Sequence, residues 1–159
     1  MNVNALMAQL IEHEGLRLDL YKDTVGIWTI GVGRNLEHVG LRSEVEAKYL
    51  LRSDVLAIRS DLLVALPWIS DLDDVRQRVL NNMAFNLGVA GLLGFHRTLR
   101  HISDGKYTDA AHEMLQSLWA RQVGKRAIAL SKMMATGADE SCQTLSDTTH
   151  RLLLNANAK

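Results

Sequence analysis

Apolar residues recur first at helical spacing. Leu6, Met7, Leu10 and Ile11 line one face, Asn2 or Asn4 can cap the helix, and Gly15 can end it. At Leu16 the period changes. Leu16, Leu18 and Leu20 alternate with Arg17, Asp19 and Tyr21, which predicts a half-buried strand. Asp23 to Gly26 supplies a turn, Ile27 to Ile30 the returning strand, and Gly31, Gly33 and the Asn35 region break regular structure again. From Ser43 the pattern is helical almost to the end. Ser43 with Glu46 reads as a capping box, and the helix it opens runs to Leu66 and stops at Pro67, roughly 35 Å at about 1.5 Å per residue. Asp71 or Asp73 opens the next helix, with Val75, Val79, Leu80 and Met83 inward. Gly88, Gly91 and Gly94 cut a short piece from its end. Phe95–Ile102, Thr108–Trp119 and Lys125–Met134 read as three more helices. Beyond Gly137, Ser146 or Asp147 can cap a short helix carrying Leu152 to Leu154.

This layout is α+β: a small lobe over about 12–42, a connecting helix over about 43–66, and a larger helical lobe over about 67–137 that includes residues 1–11. The tail, 138–159, is left unassigned, and the whole of 1–159 is read as one domain. Composition narrows the classes. A hydrophobic share of 47% is ordinary for a globular chain. Lys and Arg number 18 and so do Asp and Glu, so bulk charge does not point to nucleic acid. With one cysteine, Cys142, a disulfide framework is excluded and folding in a reducing cytosol is expected. The N-terminal stretch lacks the basic region and apolar length of a signal peptide, and the longest apolar run, Leu62 to Leu66, is far short of a membrane span.

Two carboxylates stand out. Glu14 falls at the end of the first helix and Asp23 at the tip of the hairpin. A protonated carboxyl paired with an ionised one is the equipment for cleaving a glycosidic bond. Taken alone the pair is weak evidence, because acidic residues at helix ends and turns are commonly solvated surface. Glu12-His13-Glu14 is not a metal site on this reading, since adjacent helical residues point apart and no His-Glu-x-x-His occurs. Gly31-Val32-Gly33 lacks the third glycine of a dinucleotide loop and reads as close backbone packing. Trp28, Trp68 and Trp119 are expected in the core, His96, His101 and His112 at the surface or at caps, and Cys142 as an unactivated bystander.

The run from Glu12 to Leu36 carries more. Glu-Gly-Leu-Arg-Leu, Tyr-Lys-Asp-Thr and Trp-Thr-Ile-Gly-Val-Gly resemble the catalytic segment of phage-type lysozymes, glycoside hydrolase family 24. The similarity continues through Ser43–Leu66, the Asp71–Arg76 and Asn82–Gly88 segments, Gly94-Phe95, Asp109–Ala111, Ser117–Trp119 and Arg126-Ala127, covering residues 1 to about 137. It implies a lysozyme-like fold and hydrolysis of the β-1,4 bond between N-acetylmuramic acid and N-acetylglucosamine in peptidoglycan. Glu14, Asp23 and Thr29 match the family's catalytic set, with Glu14 as acid and Asp23 and Thr29 handling the water. Asn35, Phe85 and Thr98 match substrate-contacting positions, Asn86 lies where a cleft glutamine is found, and Arg126 matches a basic residue facing the catalytic Glu. A partly apolar wall is expected to hold Glu14 protonated.

The resemblance also implies no cofactor, a monomer, and storage in the host cytoplasm. A holin-type membrane protein would release the enzyme to the periplasmic wall for host lysis. Departures are visible. Arg34 replaces a histidine and is expected to pair with Asp54 on the long helix; Glu113 stands where an amide is usual; an extra helix between Leu36 and Ser43 is missing. Two other readings use the same residues: a lytic transglycosylase that closes an anhydro ring, and a wall-binding protein without turnover.

Overall fold

The computed structural model describes residues 1–139. The tail helix expected near Ser146 and the role of Cys142 lie outside the described residues. The elements, in order, are α1 (Val3–Glu14), β1 (Arg17–Lys22), β2 (Trp28–Gly31), β3 (Arg34–Asn35), α2 (Glu44–Ala65), a 3₁₀ turn (Pro67–Asp71), α3 (Asp74–Leu93), α4 (His96–Ser103), α5 (Tyr107–Gln116), α6 (Leu118–Val123) and α7 (Lys125–Thr136). Among the described residues, seven α-helices and one small sheet make the fold α+β. None of these helices is long and apolar enough to cross a membrane. Two compact units are present, one over Met1–Arg52 and one beginning at Ser53.

In the first unit, Asn2 caps α1 by accepting from the Ala5 N–H, and Gly15 ends it at φ 76°, where a side chain would be strained. The sheet is antiparallel in the order β1-β2-β3. Its third strand is two residues long, too short to leave a period in the sequence. The leucines of β1 do not form the expected inward face: Leu18 is 84% exposed, and Leu16 and Leu20 are exposed too. The register explains this. Arg17 pairs with Gly31 but Tyr21 pairs with Thr29, so a bulge between Arg17 and Tyr21 breaks the alternation. Tyr21 is half-buried and Thr29 buried, so the inward positions fall at this pair. Trp28 is likewise not a core residue; it is 43% exposed, with the Lys22 ammonium 5.0 Å from its ring centroid. The helix α1, expected to bury one face, has no buried residue.

The second unit holds the core. Leu62, Ile69, Val79, Leu80, Met83, Leu92, Ile102, Met114, Trp119 and Met134 are buried together, with Phe95 edge-to-face on Trp119 at 6.2 Å. Asp73 caps α3 by accepting from the Arg76 N–H. Gly88, at φ 73°, interrupts that helix and leaves a short terminal piece, as its glycines predict. The single helix expected over Thr108–Trp119 is two, because Ser117 turns extended and its hydroxyl caps α6 by accepting from Ala120 N–H. Arg76 clamps the end of α7. Its guanidinium donates to the Met134 and Ala135 carbonyls, at 2.9 and 3.1 Å, and lies on the Tyr107 ring.

Candidate active site

Glu14 is the last residue of α1 and is exposed. Its carboxylate lies against the β2–β3 turn: a Cβ added to Gly33 would stand 3.6 Å from Glu14 Oε2. Gly33 takes a positive φ of 65°, so the lack of a side chain serves both the turn and the close approach.

Asp23 and Thr29 are built around the backbone of one residue, Ile27. The Ile27 N–H donates to Asp23 Oδ1 at 2.9 Å, and Val25 N–H donates to the same oxygen at 2.9 Å. The Ile27 carbonyl accepts from the Asp23 N–H and from the Thr29 hydroxyl, each at 3.0 Å. Asp23 therefore closes the hairpin with one carboxylate oxygen and keeps Oδ2 outside these bonds. Thr29 is 2% exposed, and its donated proton leaves lone pairs on Oγ1.

The remaining site residues divide by what already holds them. Asn35 Oδ1 accepts from the N–H groups of Glu37 and His38, so that side chain folds the loop after β3. Phe85 is 45% exposed. Asn86 Oδ1 accepts from the Trp119 indole N–H at 2.9 Å. Arg126 is tied to Asn82, its Nε donating to the Asn82 side chain at 2.9 Å and Nη2 to the Asn82 carbonyl at 3.1 Å. Thr98 is buried, yet it lines an open groove of about 680 Å³ in the second unit with Leu87, Phe95, Arg97, Glu113 and Trp119. The unusual Glu113 forms an ion pair there, 2.7 Å from Arg97 Nη2.

Arg34 corrects an expectation. Its guanidinium is bidentate to Glu46 and donates through Nε to the Gly40 carbonyl, so its partner is not Asp54. Asp54 lies two turns further along the same helix. Glu46 is nearer the start of α2, where its carboxylate also accepts from the Arg42 N–H. The Ser43 cap is as expected, accepting from the Glu46 N–H, while the reciprocal bond goes to Arg42 instead. Sequence reasoning missed the Ile27 backbone because backbone groups carry no residue signature. Gly33 was legible as close packing, but not what it packs against.

The profile of the Phage lysozyme family matches residues 11–135, a span that includes Glu14, the hairpin and the helices through α6 and most of α7. The chain belongs to the phage lysozyme family. Among its relatives, Probable T4-type lysozyme 1 and Probable T4-type lysozyme 2 of Dictyostelium discoideum are each 28% identical, over 164 and 163 residues. Each alignment covers 85% of this chain and 96% of the relative. The Pre-baseplate central spike protein Gp5 of Enterobacteria phage T4 is 30% identical over 169 residues, which is 88% of this chain and 29% of that protein. The chain is a lysozyme-type glycoside hydrolase, and its substrate class is peptidoglycan.

Proposed function

We propose that the chain is an endolysin muramidase cleaving the β-1,4 bond from N-acetylmuramic acid to N-acetylglucosamine, with Glu14 as general acid and Asp23 and Thr29 positioning the attacking water. The arrangement around the Ile27 backbone carries this reading. With Oδ1 committed to two backbone donors and the Thr29 proton committed to a carbonyl, Asp23 Oδ2 and Thr29 Oγ1 both act as acceptors. A water giving one proton to each directs its lone pair at the anomeric carbon. Glu14 delivers its proton to the leaving glycosidic oxygen as the water's proton passes to Asp23, and solvent exchange then restores both carboxyls.

On the substrate side, Phe85 offers an exposed ring for a sugar face and Thr98 a hydroxyl at the groove. Asn35 and Asn86 keep their side-chain N–H groups, and Arg126 keeps Nη1, outside the bonds described. The enzyme works as a monomer, accumulates in the host cytoplasm, and reaches the periplasmic wall when a holin-type protein opens the membrane.

Turbidity loss of permeabilised Gram-negative cells tests the reading. Glu14→Gln is nearly isosteric but cannot donate a proton at useful acidity, so lysis falls roughly 10²–10⁴-fold with circular dichroism retained. Retention of more than about a tenth of the activity removes Glu14 from the acid role.

A further inference from the structure

We infer that the clasp between Arg34 and Glu46 holds the Gly33 turn against Glu14, making Glu46 a positioning residue for cleavage, a role that rests on the muramidase reading. Gly33, whose turn meets the Glu14 carboxylate, is followed directly by Arg34, the first residue of β3. That strand is two residues long. Its pairing is brief: Ile30 with Arg34, Thr29 with Asn35, and then the Leu36 N–H donating to the Trp28 carbonyl at 2.8 Å. A ladder this short fixes its own place weakly. No apolar core backs it, since Thr29 is the one buried residue among the described residues Met1–Arg52. The turn beside the proposed acid therefore needs an anchor from elsewhere.

The clasp supplies it. Arg34 donates through Nε to the Gly40 carbonyl at 2.9 Å and through both terminal nitrogens to Glu46. Glu46 accepts as well from the Arg42 N–H at 2.8 Å, while its own N–H is held by the Ser43 hydroxyl at 3.1 Å. One carboxylate on the first turn of α2 thus gathers both ends of the loop that leads from β3. A guanidinium bound through all three nitrogens is fixed in orientation as well as distance. The two side chains are 27% and 29% exposed, so solvent screens them less than an open surface pair. The proposed reacting groups flank this anchor. Glu14 meets Gly33 on one side of Arg34, and Thr29 pairs with Asn35 on the other. Moving Arg34 moves the surroundings of both, and a shift of about 1 Å can cost on the order of 10²-fold in rate. Neither clasp residue is among the proposed sugar contacts, so the loss falls on kcat and spares KM.

The full-length protein is assayed on soluble peptidoglycan strands well below the melting temperature of each variant, with kcat and KM separated. Glu46→Gln keeps one acceptor oxygen but loses the fork, so kcat falls roughly 10- to 100-fold while KM stays within about twofold. Glu46→Asp keeps a carboxylate and recovers part of kcat. Ser43→Ala is the structural control: it loosens the same turn of α2 without removing the carboxylate, and its kcat stays close to wild type. Amide NMR gives a readout apart from turnover. The Gly33 and Thr29 N–H signals shift in Glu46→Gln and keep their places in Ser43→Ala. A Glu46→Gln kcat near wild type, an equal loss in Ser43→Ala, or unmoved Gly33 and Thr29 signals overturns the positioning role. A wild type that leaves the strands uncut overturns the muramidase reading and the role in cleavage with it, while the amide signals still report whether the clasp holds the turn.

Discussion

The two oxygens of the Asp23 carboxylate are not equivalent. Oδ1 closes the hairpin by accepting from Val25 and Ile27, and Oδ2 takes part in neither bond, which is where the proposed water activation is assigned. This separates structure from catalysis by substitution. Asparagine keeps an oxygen that accepts both N–H groups but loses the acceptor for the water's proton. Asp23→Asn is therefore expected to melt close to the wild type and to lose roughly 10²–10⁴-fold in kcat. Asp23→Ala also strips the turn of its acceptor and costs about 1 kcal/mol of stability in addition. Equal melting temperatures for the two variants would show that Oδ1 does not hold the turn. Trp28 makes the opposite point about residues. Its size suggested core, yet a strand in a three-stranded sheet with one solvated face has an outer row, and Trp28 is on it beside Lys22.

Among the elements, helices were legible wherever a glycine, a proline or a capping side chain coincided with the end of a periodic run. Asp73 and α3, the Gly88 break, and Pro67 after α2 are of this kind. The division at Ser117 was not legible, because the apolar rhythm of Leu115, Leu118 and Trp119 continues across it. Only the Ser117 hydroxyl marks the new cap. The bulge in β1 was equally hidden, since it shifts register without changing composition. At the site, Glu14 and Asp23 were visible as helix-end and turn acids, and the long family motif gave them meaning. The partner of Arg34 could not be read from spacing, because β3 brings it to the first turn of α2 rather than to the middle.

That clasp sets a pH dependence. The hydrogen bond from Arg34 comes first and the Arg42 N–H second in holding the Glu46 carboxyl below its ordinary value of 4.5. A depressed folded-state value means the contribution is full above about 4.5 and is lost as pH falls through the folded value. The wild type should therefore melt above Glu46→Gln at neutral pH, with the gap shrinking below pH 4.5. A gap independent of pH would mean that ionisation of Glu46 adds nothing to the clasp.

At the scale of the molecule, the apolar core lies in the second unit, and the three proposed catalytic groups lie in the first, on a helix end and a hairpin. The balance of 18 basic against 18 acidic residues gives no bulk attraction to an acidic wall, so recognition has to come from local groups. What Asp23 and Thr29 do with water decides the stereochemistry of the cut. Activation of a water on the face opposite the leaving group inverts the anomeric centre, whereas direct attack by Asp23 through a glycosyl intermediate retains it. The buried Thr29 hydroxyl, which donates to the same Ile27 carbonyl as the Asp23 N–H, has a task only in the first case. The most direct measurement is proton NMR of a fresh peptidoglycan digest, read before mutarotation. The expected product is a hydrolysed reducing end whose α anomer is seen first, with the signal slowed about 10²-fold in Thr29→Ala. A β anomer appearing first, or an anhydro-muramic product, would contradict it.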